Sequence, residues 1–289
     1  MFKLKMLIGI VVGLVMVTGN VWGQNLLSNP SFELGTVGKI PDDWFSANNE
    51  GYFVIDNIVA HTGVNSIKAD FTPIQGLTLH RYIYRNKIEE IPIWATYKLS
   101  IWAKGNSGGE NLNVSIRGYQ LLSCTKNFIL TTVWQEYSYE FIRTVPGDLN
   151  FGAAYNTLPY PIIWVDDISL TIVRTVAENR IYYQNILNDI NATKSLKDEA
   201  NNFFAALYQY LDKDFLKAIP YLETLNTKES YERVGDYQLQ LTDFLKAIEA
   251  YKKAVALATV NNQPDAVKSI SQKLEGAITT AKQLGLMPK

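Results

Sequence analysis

The sequence predicts a β-sandwich followed by a small α-helical array, and three observations support this division. Short runs of alternating apolar and polar residues fill the first half of the 289-residue chain. From about Glu178 onward, apolar residues recur instead with the 3.6-residue period of a helix. All six tryptophans lie at or before Trp164. We therefore expect one domain over residues 24–174, a second over residues 178–289, and a boundary near residues 175–177.

Four runs in the first half have the two-residue period of a strand, with one face apolar and the other polar. These runs are residues 97–103, 111–119, 134–141 and 162–171. In the last run we expect Asp166 to share a face with the core residues Ile168 and Leu170. Clusters of Gly, Pro, Asn and Asp separate the runs, which predicts many short antiparallel strands in a sandwich or a barrel.

The second half predicts amphipathic helices that pack in pairs. Apolar stripes run through residues 196–210, 218–225, 231–241, 244–257 and 266–284. The phrase DFLKAI occurs at residues 214–219 and again at residues 243–248. Internal repetition at this scale is typical of stacked helix pairs.

The helical repeat resembles the tetratricopeptide repeat (TPR). The second copy matches best, through Tyr231, Val234, Gly235, Ala247, Tyr251 and Ala254. The small residues fit places where two helices approach closely. Both copies are shorter than the usual repeat and no proline closes either one, so we interpret them as degenerate repeats with a capping helix. Such an array either binds a protein partner or serves as a packing platform, and the sequence leaves both open.

The composition is that of a folded protein without a strong net charge. Apolar residues make up 47% of the chain and charged residues 19%, as in globular domains. The 27 Lys and Arg residues nearly balance the 28 Asp and Glu residues. Because nucleic-acid binding depends on a basic excess, we expect no nucleic-acid partner.

The first 23 residues are typical of a signal peptide. Lys3 and Lys5 precede an apolar run at residues 6–17, and Val21 and Gly23 fit the small-residue rule for cleavage. The run is shorter than the ~20 apolar residues that a membrane span needs. We expect cleavage after Gly23 and a secreted, periplasmic or cell-surface protein; an uncleaved anchor is the alternative.

The chain lacks a recognisable catalytic centre. His61 and His80 are its two histidines, and neither lies beside a nucleophile or metal-binding motif. Asp166 and Asp167 are neighbours in a strand and would point to opposite faces, so they would not flank one glycosidic bond together. Cys124 is the one cysteine, and we expect it to be a half-buried apolar residue. The sequence therefore predicts a protein that is not an enzyme.

Six phrases in a fixed order carry a resemblance to a known family. They are NLLSNPSFELG, PDDWF, HTGVNSIKADF, YKLSIWAKG, WQEYSYEF and WVDDISLTI, spread over residues 25–172. In this order they resemble the CenC-type carbohydrate-binding modules (family 4/9/22-like), which are jelly-roll β-sandwiches of the galactose-binding-like kind. The resemblance implies a domain that binds β-linked or similar polysaccharide without cleaving it. Such modules usually accompany a glycoside hydrolase, whereas the second domain of this chain is helical.

The resemblance also implies a structural calcium ion. In the family, the Glu of the N-x-x-F-E phrase and the first Asp of the final D-D pair help to hold it, and the H-x-G-x-x-S turn supplies backbone oxygens. In this chain these positions are Glu33, Asp166 and the backbone from Gly63 to Ser66. The alternative is that Glu33 and Asp166 only cap loops or pair with Lys68.

Sugar binding depends on aromatic rings that stack on a pyranose and on polar groups that bond its hydroxyls. The candidates are Trp44, Tyr84, Trp102, Arg117 and Tyr119, with Tyr82 and Trp94 as further options. The alternative for each aromatic residue is a place in the core, and this is our expectation for Trp134 and Trp164.

We therefore expect an exported, non-catalytic protein whose sandwich binds a glycan and whose helical domain docks a protein partner. The alternatives are a cell-surface structural or adhesion protein whose sandwich binds protein, and an accessory subunit of a glycoside hydrolase.

Overall fold

The computed structural model describes residues 24–46, 53–70, 83–85, 92–118, 124–144, 147–153 and 162–288. The chain divides into two compact units between Thr175 and Val176. The predicted signal peptide at residues 1–23 and the candidate binding residues Tyr82 and Tyr119 lie outside the described residues.

The first unit is a sandwich of two antiparallel sheets. Its described strands are β1 Phe45–Ser46, β2 Phe53–Asp56, β3 Ser66–Asp70, β4 Ile83–Arg85, β5 Thr96–Gly105, β6 Asn111–Gly118, β7 Cys124–Ile129, β8 Gln135–Ile142, β9 Gly147–Ala153 and β10 Ile162–Arg174. One sheet, the β5 sheet, has the order β2-β3-β10-β5-β8, and the other, the β6 sheet, has the order β1-β4-β9-β6-β7. From β3 onward this is the strand order of a jelly roll. The predicted fold class of the first unit is confirmed.

The core lies between the two sheets and follows the predicted alternation. In β5, Leu99, Ile101 and Ala103 are fully buried, while Lys98 is exposed. The β6 sheet contributes buried side chains such as Val114 to the same apolar cluster. Removing a side chain such as Leu99 from this cluster would cost about 2–5 kcal/mol, so the inward faces fix how the two sheets pack.

Strand β10 contains a β-bulge in the middle of its pairing with β5. Asp166 pairs with Trp102, but the next pair is Ser169 with Ser100, so two residues of β10 lie opposite one residue of β5. Asp167, inside the bulge, has a φ of 45°, in the left-handed region. The extra residue reverses the face on which every later residue of the strand lies.

The bulge corrects one expectation about β10, which concerns the face of Asp166. Val165 and Ile168 are both buried in the core, on either side of the bulge. Asp166 therefore lies on the outer face, because it pairs with Trp102, and it does not share a face with Ile168 as we expected. Trp164 is buried as expected, at 9% exposure, but it lies outside the core cluster between the sheets: its Nε1 donates to Asp56 Oδ2 at 2.7 Å on the outer face. A period of two cannot reveal an inserted residue, and this explains the error about Asp166.

The second unit consists of helices, as predicted. Its described helices are α1 Val176–Asn188, α2 Lys194–Tyr210, α3 Phe215–Leu225, α4 Lys228–Gln240, α5 Phe244–Val260 and α6 Pro264–Gln283. The sequence patterns predict α2 to α6 but miss α1, which buries only Asn179 and Tyr183 and so has no apolar stripe. Among the residues that the structure describes, no helix is long and apolar enough to cross a membrane.

The repeated DFLKAI phrase forms the same helix start twice. The Asp214 side chain accepts from Lys217 N at 3.1 Å, and the Asp243 side chain accepts from Lys246 N at 3.2 Å. Each aspartate therefore caps its helix, α3 or α5, by satisfying a backbone donor of the first turn. The residue before each cap has a positive φ, 55° at Lys213 and 60° at Thr242. The sequence repeat is thus a repeat of turn geometry.

Gly235 of α4 lies against the ring of Tyr251 of α5, as its small size predicts. A Cβ at Gly235 would lie 2.5 Å from the nearest ring carbon, well inside contact distance. Tyr251 is fully buried, so its ring has little freedom to move away. Glycine at this position therefore sets how closely α4 and α5 approach.

We expect the substitution Gly235→Ala to destabilise the helical unit by about 1–3 kcal/mol, because the ring and the helix must separate. The matched control is Gly276→Ala in α6, where an added Cβ meets nothing within 4 Å. That change should stabilise the unit by about 0.5–1 kcal/mol through helix propensity. Urea denaturation followed by circular dichroism measures both. Equal or higher stability of Gly235→Ala would contradict the packing argument.

Candidate functional site

The structure does not bring the candidate sugar-binding residues together. The first of them, Trp44, belongs to the core. Trp44 is 3% exposed, and its Nε1 donates to the Asn29 carbonyl oxygen at 3.0 Å. Its ring packs at 5.2 Å from the ring of Phe32. A buried ring offers no face to a sugar, so the interpretation of Trp44 as a binding platform was wrong. Trp94, a further option, is also buried, at 1% exposure.

Trp102 lies on the outer face of the β5 sheet, where His61 covers its ring. The two rings stack with centroids 3.8 Å apart and an angle of 13°. Trp134 lies 5.6 Å from His61 in a tilted arrangement, and it is half-buried instead of being part of the core cluster. His61 Nδ1 also contacts Asp167 Oδ2 at 2.7 Å. One face of the Trp102 ring is therefore occupied by the protein itself.

Tyr84 and Arg117 lie in the other sheet, Tyr84 in β4 and Arg117 in β6. Tyr84 pairs with Asn150 of β9, and Asn150 pairs with Ser115 of β6, two residues before Arg117. The structure therefore places Trp102 and Arg117 in different sheets of the sandwich.

The outer face of the β6 sheet also carries residues that the sequence reasoning missed. Phe45 pairs with Tyr84 and is 46% exposed, although it is a large apolar residue. Asn113 donates through Nδ2 to Asn127 Oδ1 at 2.6 Å across β6 and β7. The phrase PDDWF carries part of this signal: side chains that alternate along an extended segment put Trp44 and Phe45 on opposite faces, but the phrase does not tell which of the two is buried.

The carboxylates of Glu33 and Asp166 hold one segment, residues 61–65, at two places. Asp166 Oδ2 accepts from the backbone N–H of His61 at 2.9 Å and of Thr62 at 3.3 Å. Glu33 Oε1 accepts from Val64 N at 3.1 Å and from Asn65 N at 3.2 Å. Between these anchors Gly63 has a φ of 61°, and a Cβ there would lie 2.1 Å from Glu33 Oε1. Glycine is thus required for the carboxylate to reach the amides.

The pKa values of the two neighbouring aspartates shift in opposite directions. Burial raises the pKa of Asp166 to about 6, although hydrogen bonds from the backbone amides of His61, Asp167 and Thr62 lower it. Burial also acts on Asp167, but hydrogen bonds from the His61 ring and the Thr62 hydroxyl outweigh it and hold its pKa below the ordinary value. Asp166 is fully buried. Of the two carboxylates, it is therefore the one whose negative charge is less well compensated by its surroundings.

Of the predicted calcium ligands, Asp166 alone has a property that a cation would complement. A buried carboxylate with a raised pKa is a group whose charge a nearby cation would compensate. The segment that was expected to supply backbone oxygens instead presents amide N–H groups to both carboxylates. The Ser66 hydroxyl donates to the Val59 carbonyl oxygen at 2.6 Å. Among the described residues, no group of three or more His, Cys, Asp or Glu side chains is placed to hold a metal. Calcium at this position stays a prediction.

Comparisons with known proteins concern about half of the chain. No protein-family model matches it, and no curated protein matches it. The solved structure of TmCBM61 in complex with beta-1,4-galactotriose is similar at 17% identity and a TM-score of 0.38, over 52% of this chain and 99% of that chain. The CBM22-1 xylan-binding domain of Paenibacillus barcinonensis Xyn10C is similar at 16% identity and a TM-score of 0.41, over 53% and 97%. The K2 cleaved adhesin domain of Lys-gingipain is similar at 17% identity and a TM-score of 0.38, over 49% and 96%. At these TM-scores the similarities carry no argument about function.

We expect Gly63→Ala to destabilise the sandwich more than Gly38→Ala does. Both glycines have positive φ, 61° at Gly63 and 77° at Gly38, but an added Cβ meets nothing within 4 Å at Gly38. The difference between the two variants isolates the displaced Glu33 carboxylate and should be at least about 1 kcal/mol. Chemical denaturation monitored by tryptophan fluorescence measures it. Equal losses in the two variants would show that Glu33 contributes nothing to holding the segment.

Proposed function

We propose that the chain is an exported, non-catalytic glycan-binding protein and that the outer face of the β6 sheet is its binding surface. The observation that carries this proposal is the exposed ring of Phe45, paired in register with Tyr84 at one end of a polar sheet face. An apolar ring held in a sheet at 46% exposure lowers stability slightly unless a ligand covers it, because apolar surface in water is unfavourable.

The rest of this face has the chemistry that a sugar needs. Across β9, β6 and β7 the register continues from Tyr84 through Asn150 and Ser115 to Thr125, all polar residues. Amide and hydroxyl groups both donate and accept hydrogen bonds, as sugar hydroxyls do. Five strands at a spacing of ~4.8 Å give a face about 19 Å across, so an extended glycan has room to lie over several strands.

The same face favours a neutral glycan over an acidic one. Arg117 of β6 pairs in register with Asp148 of β9, and cross-strand neighbours of opposite charge balance each other. Phe45 and Tyr84 pair in β1 and β4, and β4 is the strand next to β9. A surface without excess charge binds through stacking and hydrogen bonds, and this suits a non-ionic polysaccharide.

The proposal assigns two further roles. The helical unit docks a protein partner, in the manner of the tetratricopeptide repeats that it resembles; the repeated turns at Asp214 and Asp243 and the close approach at Gly235 support this role. A calcium ion bound by the Asp166 carboxylate stabilises segment 61–65; the burial and raised pKa of Asp166 support it. When bound, the ion would supply only charge compensation.

We expect Phe45→Ala to reduce retention on a bound polysaccharide at least tenfold, about 1.4 kcal/mol, because the aromatic surface is lost. Affinity gel electrophoresis with xylan, galactan, β-glucan and mannan measures retention. The matched control is Tyr182→Ala, which removes a similarly exposed ring (40% exposed) from α1.

Retention that survives Phe45→Ala but is lost in Trp102→Ala would move the site to the β5 sheet. If the wild-type protein binds none of the polysaccharides but adheres to immobilised protein, the adhesion alternative replaces the proposal.

We expect calcium to raise the melting temperature of the wild-type protein by several degrees relative to EDTA, since a ligand of the native state stabilises it by mass action. Asp166→Asn should remove this difference, whereas Asp43→Asn, which changes an exposed carboxylate of the same unit, should keep it. Differential scanning calorimetry measures all three proteins. Identical melting of the wild type in calcium and in EDTA would remove the ion from the proposal.

A further inference from the structure

The helical unit contains a surface cavity of about 300 Å³ between α4, α5 and α6. Apolar groups line most of it, chiefly Leu239, Phe244 and Ala277, while Asp236, Lys273 and the Tyr251 hydroxyl form a polar end. This volume is at the lower limit of small-molecule pockets, which run from about 300 to 1,000 Å³. The cavity therefore suits one large side chain of a bound partner better than a complete small ligand.

The polar end is a closed network with a net negative charge. Lys273 Nζ lies 2.8 Å from Glu232 Oε1 and 3.0 Å from Asp236 Oδ2. The Tyr251 hydroxyl donates to Asp236 Oδ1 at 2.6 Å. Burial would lower the pKa of Lys273, but hydrogen bonds to Glu232 and Asp236 outweigh it and raise that pKa. One cation thus stands beside two carboxylates, and a basic group on a partner would complement the remaining charge.

Gly276 lines the cavity and leaves open space beside it. It lies well inside α6, where glycine costs about 1 kcal/mol relative to alanine. A Cβ at Gly276 would meet nothing within 4 Å, so packing within the chain does not require a glycine. At Gly235, by contrast, the Tyr251 ring explains the glycine. Gly276 is a lining residue of the cavity, and its small size keeps the cavity accessible.

We infer that this cavity is an anchor site for a peptide segment in which a large apolar side chain stands next to a lysine or arginine. The apolar side chain fills the space between Phe244, Ala277 and Gly276, and the neighbouring basic group pairs with Glu232 and Asp236. The inference rests on the proposed docking role of the helical unit and specifies its site and its partner chemistry.

The test selects a phage-displayed library of random heptapeptides on the full-length protein and measures the enriched peptides by fluorescence polarisation. We expect enrichment of a large apolar residue adjacent to Lys or Arg. Gly276→Leu, which fills the cavity, should weaken these peptides at least tenfold. The matched control Thr279→Leu adds the same side chain at an exposed position of α6 outside the cavity and should leave affinity unchanged. Glu232→Gln should weaken the binding of the enriched peptides severalfold and make their affinity less dependent on salt concentration.

A second cavity-filling variant, Thr280→Leu, guards against misfolding of Gly276→Leu, and circular dichroism melts check both. Peptides that bind the wild type and both filled variants equally would overturn this site but leave the docking role of the helical unit in place. Enrichment of acidic peptides would overturn the assigned partner chemistry. A selection without any enrichment would overturn the anchor site and count against the docking role as well, while leaving glycan binding by the sandwich unaffected.

Discussion

Strand β10 places Asp166 on its outer face, immediately before the β-bulge, and the local structure around segment 61–65 depends on the hydrogen-bond partners of that carboxylate. A buried carboxylate must find hydrogen-bond donors or a cation. Here it takes the amides of His61 and Thr62, while Asp167 takes the imidazole and the hydroxyl of the same two residues. His61 is thereby held over Trp102. The two carboxylates at the β-bulge thus fix a loop, a hydrogen bond to an imidazole and a ring stack.

The two sides of the sandwich have different physical character as a result. On the β5 sheet, side chains of the chain itself cover the aromatic rings: His61 stacks on Trp102, and the Lys104 ammonium lies 5.3 Å from the centre of the Trp164 ring. On the β6 sheet, the Phe45 side chain is 46% exposed. A larger exposed apolar surface gains more from contact with a ligand, and the proposed glycan site is placed on the β6 sheet for this reason.

Much of the fold could be predicted from the sequence, because alternation in strands such as β5 and periodicity in helices such as α5 follow directly from burial. The proposed binding face could not be predicted in this way. Trp44 and Phe45 are adjacent and both aromatic, and only the register of β1 with β4 tells which one faces outward. The β-bulge at Asp167 could not be predicted from the sequence either, because one inserted residue leaves the composition of a strand unchanged. Local patterns predict elements, whereas a site depends on pairings between distant segments.

The repeated turn before α3 and α5 has a consequence for how this protein can vary in length. Asp214 and Asp243 are 29 residues apart and begin their helices in the same way, each preceded by a residue in the left-handed conformation. A duplication or deletion of that 29-residue interval would therefore join two chain ends whose backbone conformations already match. The helical array is in this sense modular. Relatives that differ by one helical hairpin would keep the same turn and cap at the junction, and only the packing against the newly exposed helix face would change.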